Sequence, residues 1–214
     1  MGDGTVGIVE MVRWLELFQS EIAAHRAWLT DLDSAIGDAD HGANMDRGMT
    51  AVGAKLAAGA PGTFGDLFKS VGMTLVTSVG GASGPLYGTF FMRLGMAQGA
   101  AAEVDAAGLG AALRAGLGGV VARGKAELGD KTMVDAMTPA LEAYEAAVAN
   151  GAGAGAAARA AASAAKAGRD ATVPLVARKG RASYLGERSA GHMDPGSAST
   201  LLLFESLAEA IAEE

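Results

Sequence analysis

The sequence predicts an all-α fold of about eight helices, and three observations carry that prediction. Apolar residues recur at helical spacings, glycine and proline break the chain at helix-length intervals, and no convincing run of alternating β-branched residues interrupts the pattern. At 214 residues, the chain is long enough for a core that stands without disulfide or metal staples. No composition break divides it, so residues 1–214 are expected to form one domain.

The first element covers 7–29, "GIVEMVRWLELFQSEIAAHRAWL", where Ile8, Val12, Leu15, Ile22 and Trp28 form the stripe of an amphipathic helix. The acidic turn "IGDADHG" follows at 36–42. Further helices are expected over roughly 43–58, 64–78, 85–102, 106–127, 134–149, 153–178 and 197–212. The breaks between them fall at Pro61-Gly62, Gly80-Gly81, Gly129, Asn150-Gly151 and Asp194-Pro195-Gly196. Thr63, three residues before Asp66, marks a helix start, its hydroxyl capping an early backbone amide. The segment "NGAGAGAAARAAASAAKAG" resembles a low-complexity linker in composition. Alanine is the strongest helix former, however, and Arg159, Ser163 and Lys166 fall at helical spacing, so a closely packed small-residue helix is expected. Pro174 should kink or end it.

Composition narrows the function. With no cysteine, the chain has no disulfide, thiolate metal site or cysteine nucleophile. A formal net charge of −7 disfavours nonspecific binding to nucleic acid or to anionic membranes. The N-terminus lacks a basic region followed by a cleavage site, and Val6 breaks the myristoylation pattern. No apolar run approaches the roughly 20 residues of a membrane span, so a soluble, cytoplasmic protein is expected. An acidic protein that binds phosphate needs local help from a metal, backbone amides or a few arginines.

Four stretches concentrate chemistry. Asp33, Asp38 and Asp40 form a D-x4-D-x-D array bent at Gly37. One such aspartate would read as a solvated turn, but three close carboxylates repel one another unless a cation sits among them. Hard oxygen ligands favour Mg²⁺. The EF-hand register and its closing glutamate are absent, and so are the Glu-x-x-His pairs of a di-iron bundle; Glu21 and His25 are one residue too far apart. The second stretch, "SVGGASGPLYG" at 78–88, is either an ordinary turn or a glycine-lined helix start suited to phosphate. The third, "RGKAELGDKT" at 123–132, imitates a P-loop, but Asp130 intrudes before Lys131-Thr132 and no strand precedes it, which rejects the P-loop and leaves open that the loop touches a nucleotide differently. The fourth, "ARKGRASYLGERSAGHMDPG" at 177–196, gathers Arg178, Lys179, Arg181 and Arg188, either as a solvated or partner-facing patch or as a clamp over phosphates. Of the histidines, His25 reads as structural and His192 is undecided. His41 is placed to contact a metal-bound phosphate or to carry a phosphoryl group.

Together, "LDSAIGDADHGANMDRG", "GMTLVTSVGGASGPLYGTFF", "RGKAELGDKTMVDAM" and "ARKGRASYLGERSAGHMDPG" resemble the nucleotide-binding L subunits of dihydroxyacetone kinases, in the family order and across 32–196. The resemblance implies an antiparallel eight-helix barrel with ADP or ATP at one end and two Mg²⁺ ions on Asp33, Asp38 and Asp40. It assigns His41, Gly42, Ala43, Asn44, Ala82, Ser83, Gly124, Met133, Arg181, Asp194, Pro195 and Gly196 to the nucleotide. The ketose belongs to a separate K subunit, held covalently through a histidine that His41 should not be. A stand-alone L chain resembles the phosphoenolpyruvate-dependent version, in which a phosphohistidine on an M subunit recharges bound ADP. The alternatives are an ATP-using kinase subunit for another short ketose or a fatty-acyl group, and a nucleotide sensor that binds a transcription regulator. A homodimer is compatible with each.

Overall fold

The computed structural model describes residues 4–212; the Met1–Asp3 part of the N-terminal reading lies outside them. The apolar stripe of the first stretch forms α1 (Ile8–Ala24) and then turns at His25 into α2 (Arg26–Ile36). The His25 backbone has φ −99° and ψ 9°, and its ring Nδ1 lies 2.9 Å from the Glu21 carbonyl oxygen. A side chain competing for a helix carbonyl accounts for a local bend. Thus the single helix expected there is divided in two.

The remaining helices are α3 (His41–Ala57), α4 (Phe64–Ser78), α5 (Ser83–Gln98), α6 (Ala106–Gly124), α7 (Val134–Ala149), α8 (Ala154–Ala171) and α9 (Pro195–Ala210). Their starts follow local chemistry. Thr63 Oγ1 accepts the Asp66 N–H at 3.1 Å, Asp105 accepts from Gly108, and Asp194 accepts from Ser197. The alanine-rich segment is α8, which packs its alanine face on α7; it stops before Pro174. At Gly168 the backbone of α8 comes so close to the Asp135 carbonyl that a side chain has no room. One feature departs from the helical reading: β1 (Thr5–Gly7) pairs antiparallel with β2 (Glu103–Asp105), Val6 opposite Val104. Strands of three residues are too short to show alternation in sequence.

The helices close into a ring. Neighbours run α1, α3, α4, α5, α6, α7, α8, α9 and back to α1, while α2 lies across α3 and α9. Inside, Trp14, Phe68 and Phe91 form an aromatic cluster in which the last two stack at 5.8 Å. Trp14 donates its indole N–H to the Leu203 carbonyl at 2.8 Å, so its one polar atom is satisfied within the core.

Because ring neighbours joined by short connections alternate in direction, every second connection reaches the same end. That end collects the turns after α2, α4, α6 and α8. It therefore also collects the N-termini of α3, α5, α7 and α9. Among the described residues no helix is long and apolar enough to cross a membrane.

Candidate functional site

The alternation brings all four chemistry-bearing stretches to one cavity of about 560 Å³. Asp33 sits in the last turn of α2, and Asp38 and Asp40 in the bend before α3. Gly37 leaves no room for a side chain beside Asp33, and Ala39 adopts φ +62°, so the chain folds back sharply. Asp33 Oδ2 accepts the backbone N–H of Asp40 at 2.8 Å and of His41 at 3.2 Å, which fixes the buried carboxylate. One oxygen from each aspartate lies within 4.8 Å of the others. An all-carboxylate donor set of this size fits a hard divalent cation such as Mg²⁺. Its only side-chain counter-ion among the described residues is Arg181, whose Nε is 3.0 Å from Asp38 Oδ2.

His41, first residue of α3, is held from both sides. Nδ1 lies 3.1 Å from Ser83 Oγ and Nε2 lies 2.9 Å from Ser199 Oγ. Ser199 Oγ is also 2.8 Å from the Tyr87 hydroxyl, which reaches Thr200 Oγ1 at 3.2 Å. Burial lowers the His41 pKa to about 4, outweighing the raising influence of Asp33 and Asp40, and pushes Tyr87 up to about 12. At a pKa of about 4 the ring is neutral at pH 7, with a serine hydroxyl beside each nitrogen. Through these contacts the ring ties the starts of α3 and α5 to α9.

Ala82 and Ser83 line the cavity at the start of α5, where no side chain caps the first turn and Gly81 holds φ +65°. The exposed amides and positive dipole end of that turn suit an anion. Met133 lines it at the start of α7, and Asp194, Pro195 and Gly196 at the start of α9. Asp194 is buried, and desolvation raises its pKa to about 7 against the helix-capping hydrogen bond from Ser197.

Four of the expected residues stand behind the cavity surface. Gly42 is buried where α3 presses on α2, against the Arg26 carbonyl and the Thr30 hydroxyl. Ala43 follows it in the first turn of α3. Asn44 accepts from Arg47 Nη2 at 2.6 Å and supports the turn at Gly80, where a Cβ would come within 2.9 Å of the Asn44 Oδ1. Gly124 ends α6 beside Leu86, itself a cavity residue.

Further residues outside the expected nucleotide set reach the cavity. Lys131 lies within it, in the loop whose broken motif excludes a P-loop and leaves another contact open. Arg178, Lys179 and the 88 % exposed Tyr184 line its rim. Ser199 and Thr200 complete the His41 network; the signal for them is a hydroxyl pair opening the apolar run "STLLLF". A second cavity of about 520 Å³ lies between α4 and α5. It is lined chiefly by glycine and methionine, and its one carboxylate, Asp66, is engaged by Thr63 at the helix start.

Comparison with known proteins is consistent across three levels. The family model described as the DAK2 domain matches residues 35–209. The ADP-binding subunit of the PEP-dependent dihydroxyacetone kinase of Escherichia coli (strain K12) is 45 % identical over 95 % of this chain and 97 % of its own. The ADP-binding subunit of the PTS-dependent kinase of Lactococcus lactis subsp. lactis (strain IL1403) is 43 % identical over 94 % and 96 %. Among solved structures, the dihydroxyacetone kinase of C. freundii in complex with AMP-PNP and Mg²⁺ superposes with a TM-score of 0.72 at 30 % identity. That match covers 94 % of this chain but 33 % of the C. freundii chain.

Proposed function

The chain belongs to the DAK2 domain family, and on that premise we propose that it is the ADP-binding subunit of a PEP-dependent dihydroxyacetone kinase. The observation that carries this reading is the single cavity in which three carboxylates, four helix N-termini and a basic rim converge. An acidic chain gains there the local positive potential that a nucleotide needs.

On this reading Asp33, Asp38 and Asp40 hold Mg²⁺, two ions in all, which supply charge neutralisation and alignment for phosphates. The uncapped start of α5 offers backbone amides to phosphate oxygens, and Arg181 turns from Asp38 towards them. Met133 and the 194–196 turn close one flank. His41, neutral and anchored, keeps the starts of α3 and α5 in register. The reaction has two halves. In the first, a phosphohistidine on a carrier M subunit loses its phosphoryl group to the β-phosphate of bound ADP, breaking an N–P bond and forming an O–P bond. In the second, a hydroxyl of dihydroxyacetone on the K subunit would attack the γ-phosphorus and lose its proton as the bond to the β–γ bridging oxygen breaks, leaving ADP in place on this chain. The reacting hydroxyl belongs to the partner, so this chain's work is positioning and electrostatics. On this reading the chain works in the cytoplasm, the compartment expected for such a carrier.

The carrier-dependent version is preferred to free ATP because relatives named for it cover nearly the whole chain at 42–45 % identity. The D-erythrulose kinase of Mycolicibacterium smegmatis (strain ATCC 700084 / mc(2)155) is 32 % identical, and this chain spans 36 % of it. A resident ADP should survive gentle purification. Acid extraction followed by chromatography is expected to release close to one adenine nucleotide per chain; recovery of none would favour a kinase that exchanges free ATP.

A further inference from the structure

Lys131 is 1 % exposed, an unusual place for an ammonium. Its Nζ donates to four backbone carbonyls: Thr172 at 2.9 Å, Val173 at 3.3 Å, Leu175 at 3.0 Å and His192 at 2.5 Å. With three protons shared among four acceptors, no donor is left over for a phosphate. This is the opposite of a P-loop lysine, although both occupy a glycine-flanked turn before a helix.

The four acceptors have a simple arrangement along the chain. Three lie where the chain leaves α8, and the fourth lies just before it enters α9. Between them runs the excursion that carries Arg178, Lys179, Arg181 and Tyr184 to the cavity rim. The same base is joined by Gly191 N–H to Val173 O at 2.8 Å and by Asp194 N–H to Thr172 Oγ1 at 3.1 Å. Lys131 itself comes from a third segment, the turn before α7, with its backbone at φ +63°. That turn is anchored by Asp135, which accepts from Gly129 and Thr132, and it receives the Arg178 N–H on the Asp130 carbonyl at 3.1 Å.

We propose that Lys131 is a positioning residue for nucleotide binding: a buried ammonium that gathers both ends of the 172–194 excursion onto the α7 turn and so sets its arginines over the carboxylate cluster. The proposal rests on the nucleotide-binding reading for its consequence, but its structural content stands apart from that reading. Arg181 is 68 % exposed at its side chain and receives its placement from the backbone beneath it. A side chain with that much freedom is aimed only as well as its base is fixed.

Two measurements on the full chain test it. In Lys131→Met, amide hydrogen exchange is expected to quicken at least tenfold within 172–194 while α7 and α9 keep their protection. Unchanged protection of the excursion overturns the proposal. Calorimetric titration with Mg·ADP then places Lys131→Met in two backgrounds, the natural chain and one in which Arg178, Lys179 and Arg181 are all alanine. Affinity should fall at least tenfold in the first and less than threefold in the second, because the lysine acts through those cations. Equal losses in both would overturn the positioning role. If the natural chain binds no Mg·ADP, the proposed function fails, and the exchange measurement still decides whether Lys131 holds the excursion. Where Lys131→Met does not fold, Lys131→Gln replaces it; global unfolding of both overturns the proposal, since the lysine would then hold the barrel.

Discussion

Arg181 Nε lies 3.0 Å from Asp38 Oδ2, joining the basic excursion to the acidic bend across the mouth of the cavity. Both side chains are substantially exposed, so the pair is worth little to the fold, at most about 1 kcal/mol. Its interest is chemical: each partner is a group that the proposed function needs elsewhere, one for metal and one for phosphate.

Asp38→Asn separates these roles from stability. The change removes one charge and nearly preserves volume, and it leaves Asp33 with its two backbone donors. The melting temperature is expected to move by no more than a few degrees. Affinity for Mg·ADP, measured by titration calorimetry, should fall at least tenfold. Wild-type affinity in the folded variant would remove Asp38 from the metal site.

Arg181→Lys keeps the charge but loses the planar fork that pairs with phosphate oxygens. The isolated variant is expected to bind Mg·ADP several-fold more weakly than the natural chain, before any partner is added. Normal binding by the isolated subunit with reduced turnover alongside a K subunit would assign Arg181 to the interface.

His41→Phe tests the network behind the site. The ring volume is kept, but the Ser83 and Ser199 hydroxyls lose a shared partner in buried surroundings. A loss of about 1–3 kcal/mol in unfolding free energy by urea titration is expected. Natural protein exposed to a phosphoryl donor is expected to show no ³¹P signal that is lost in His41→Phe; such a signal would mean that the ring leaves its two serine partners.

Much of this was legible because the relevant signals are local. Helical period, caps such as Thr63 and the small-residue face of α8 each depend on residues within one or two turns. The four chemical stretches were legible one by one, and their convergence follows once eight ring helices alternate in direction. What stayed hidden depends on distant partners. The bend at His25 leaves helical hydrogen bonding in place, with Leu29 N–H still bonded to the His25 carbonyl, so periodicity runs through it. The ribbon between β1 and β2 pairs residues about a hundred positions apart. The packing of Gly42 against the Arg26 carbonyl of α2, and the place of Asn44 beside Gly80, likewise join segments that periodicity does not relate. Lys131 was hidden most completely, since its acceptors lie 41 to 61 positions further along.

Asp194 gives a prediction in pH. Burial raises its pKa from 3.8 to about 7, with Asp135 adding to the rise, while the Ser197 hydrogen bond and Lys131 oppose it. The folded state therefore holds a proton that the unfolded chain releases near pH 4. Between about pH 4 and pH 7 the folded chain binds more protons than the unfolded one, so this group's contribution falls as pH rises through that window and levels off above it. At about 1.4 kcal/mol per unit the effect amounts to a few kcal/mol. Asp194→Asn keeps an oxygen for the Ser197 N–H and removes the titration. Melting temperatures taken from pH 5 to pH 8 should show the variant gaining on the natural chain as pH rises, by several degrees across the range. Parallel curves would mean that the Asp194 carboxylate ionises in the folded protein as it does in water, and that the amides and the ammonium around it offset its burial in full.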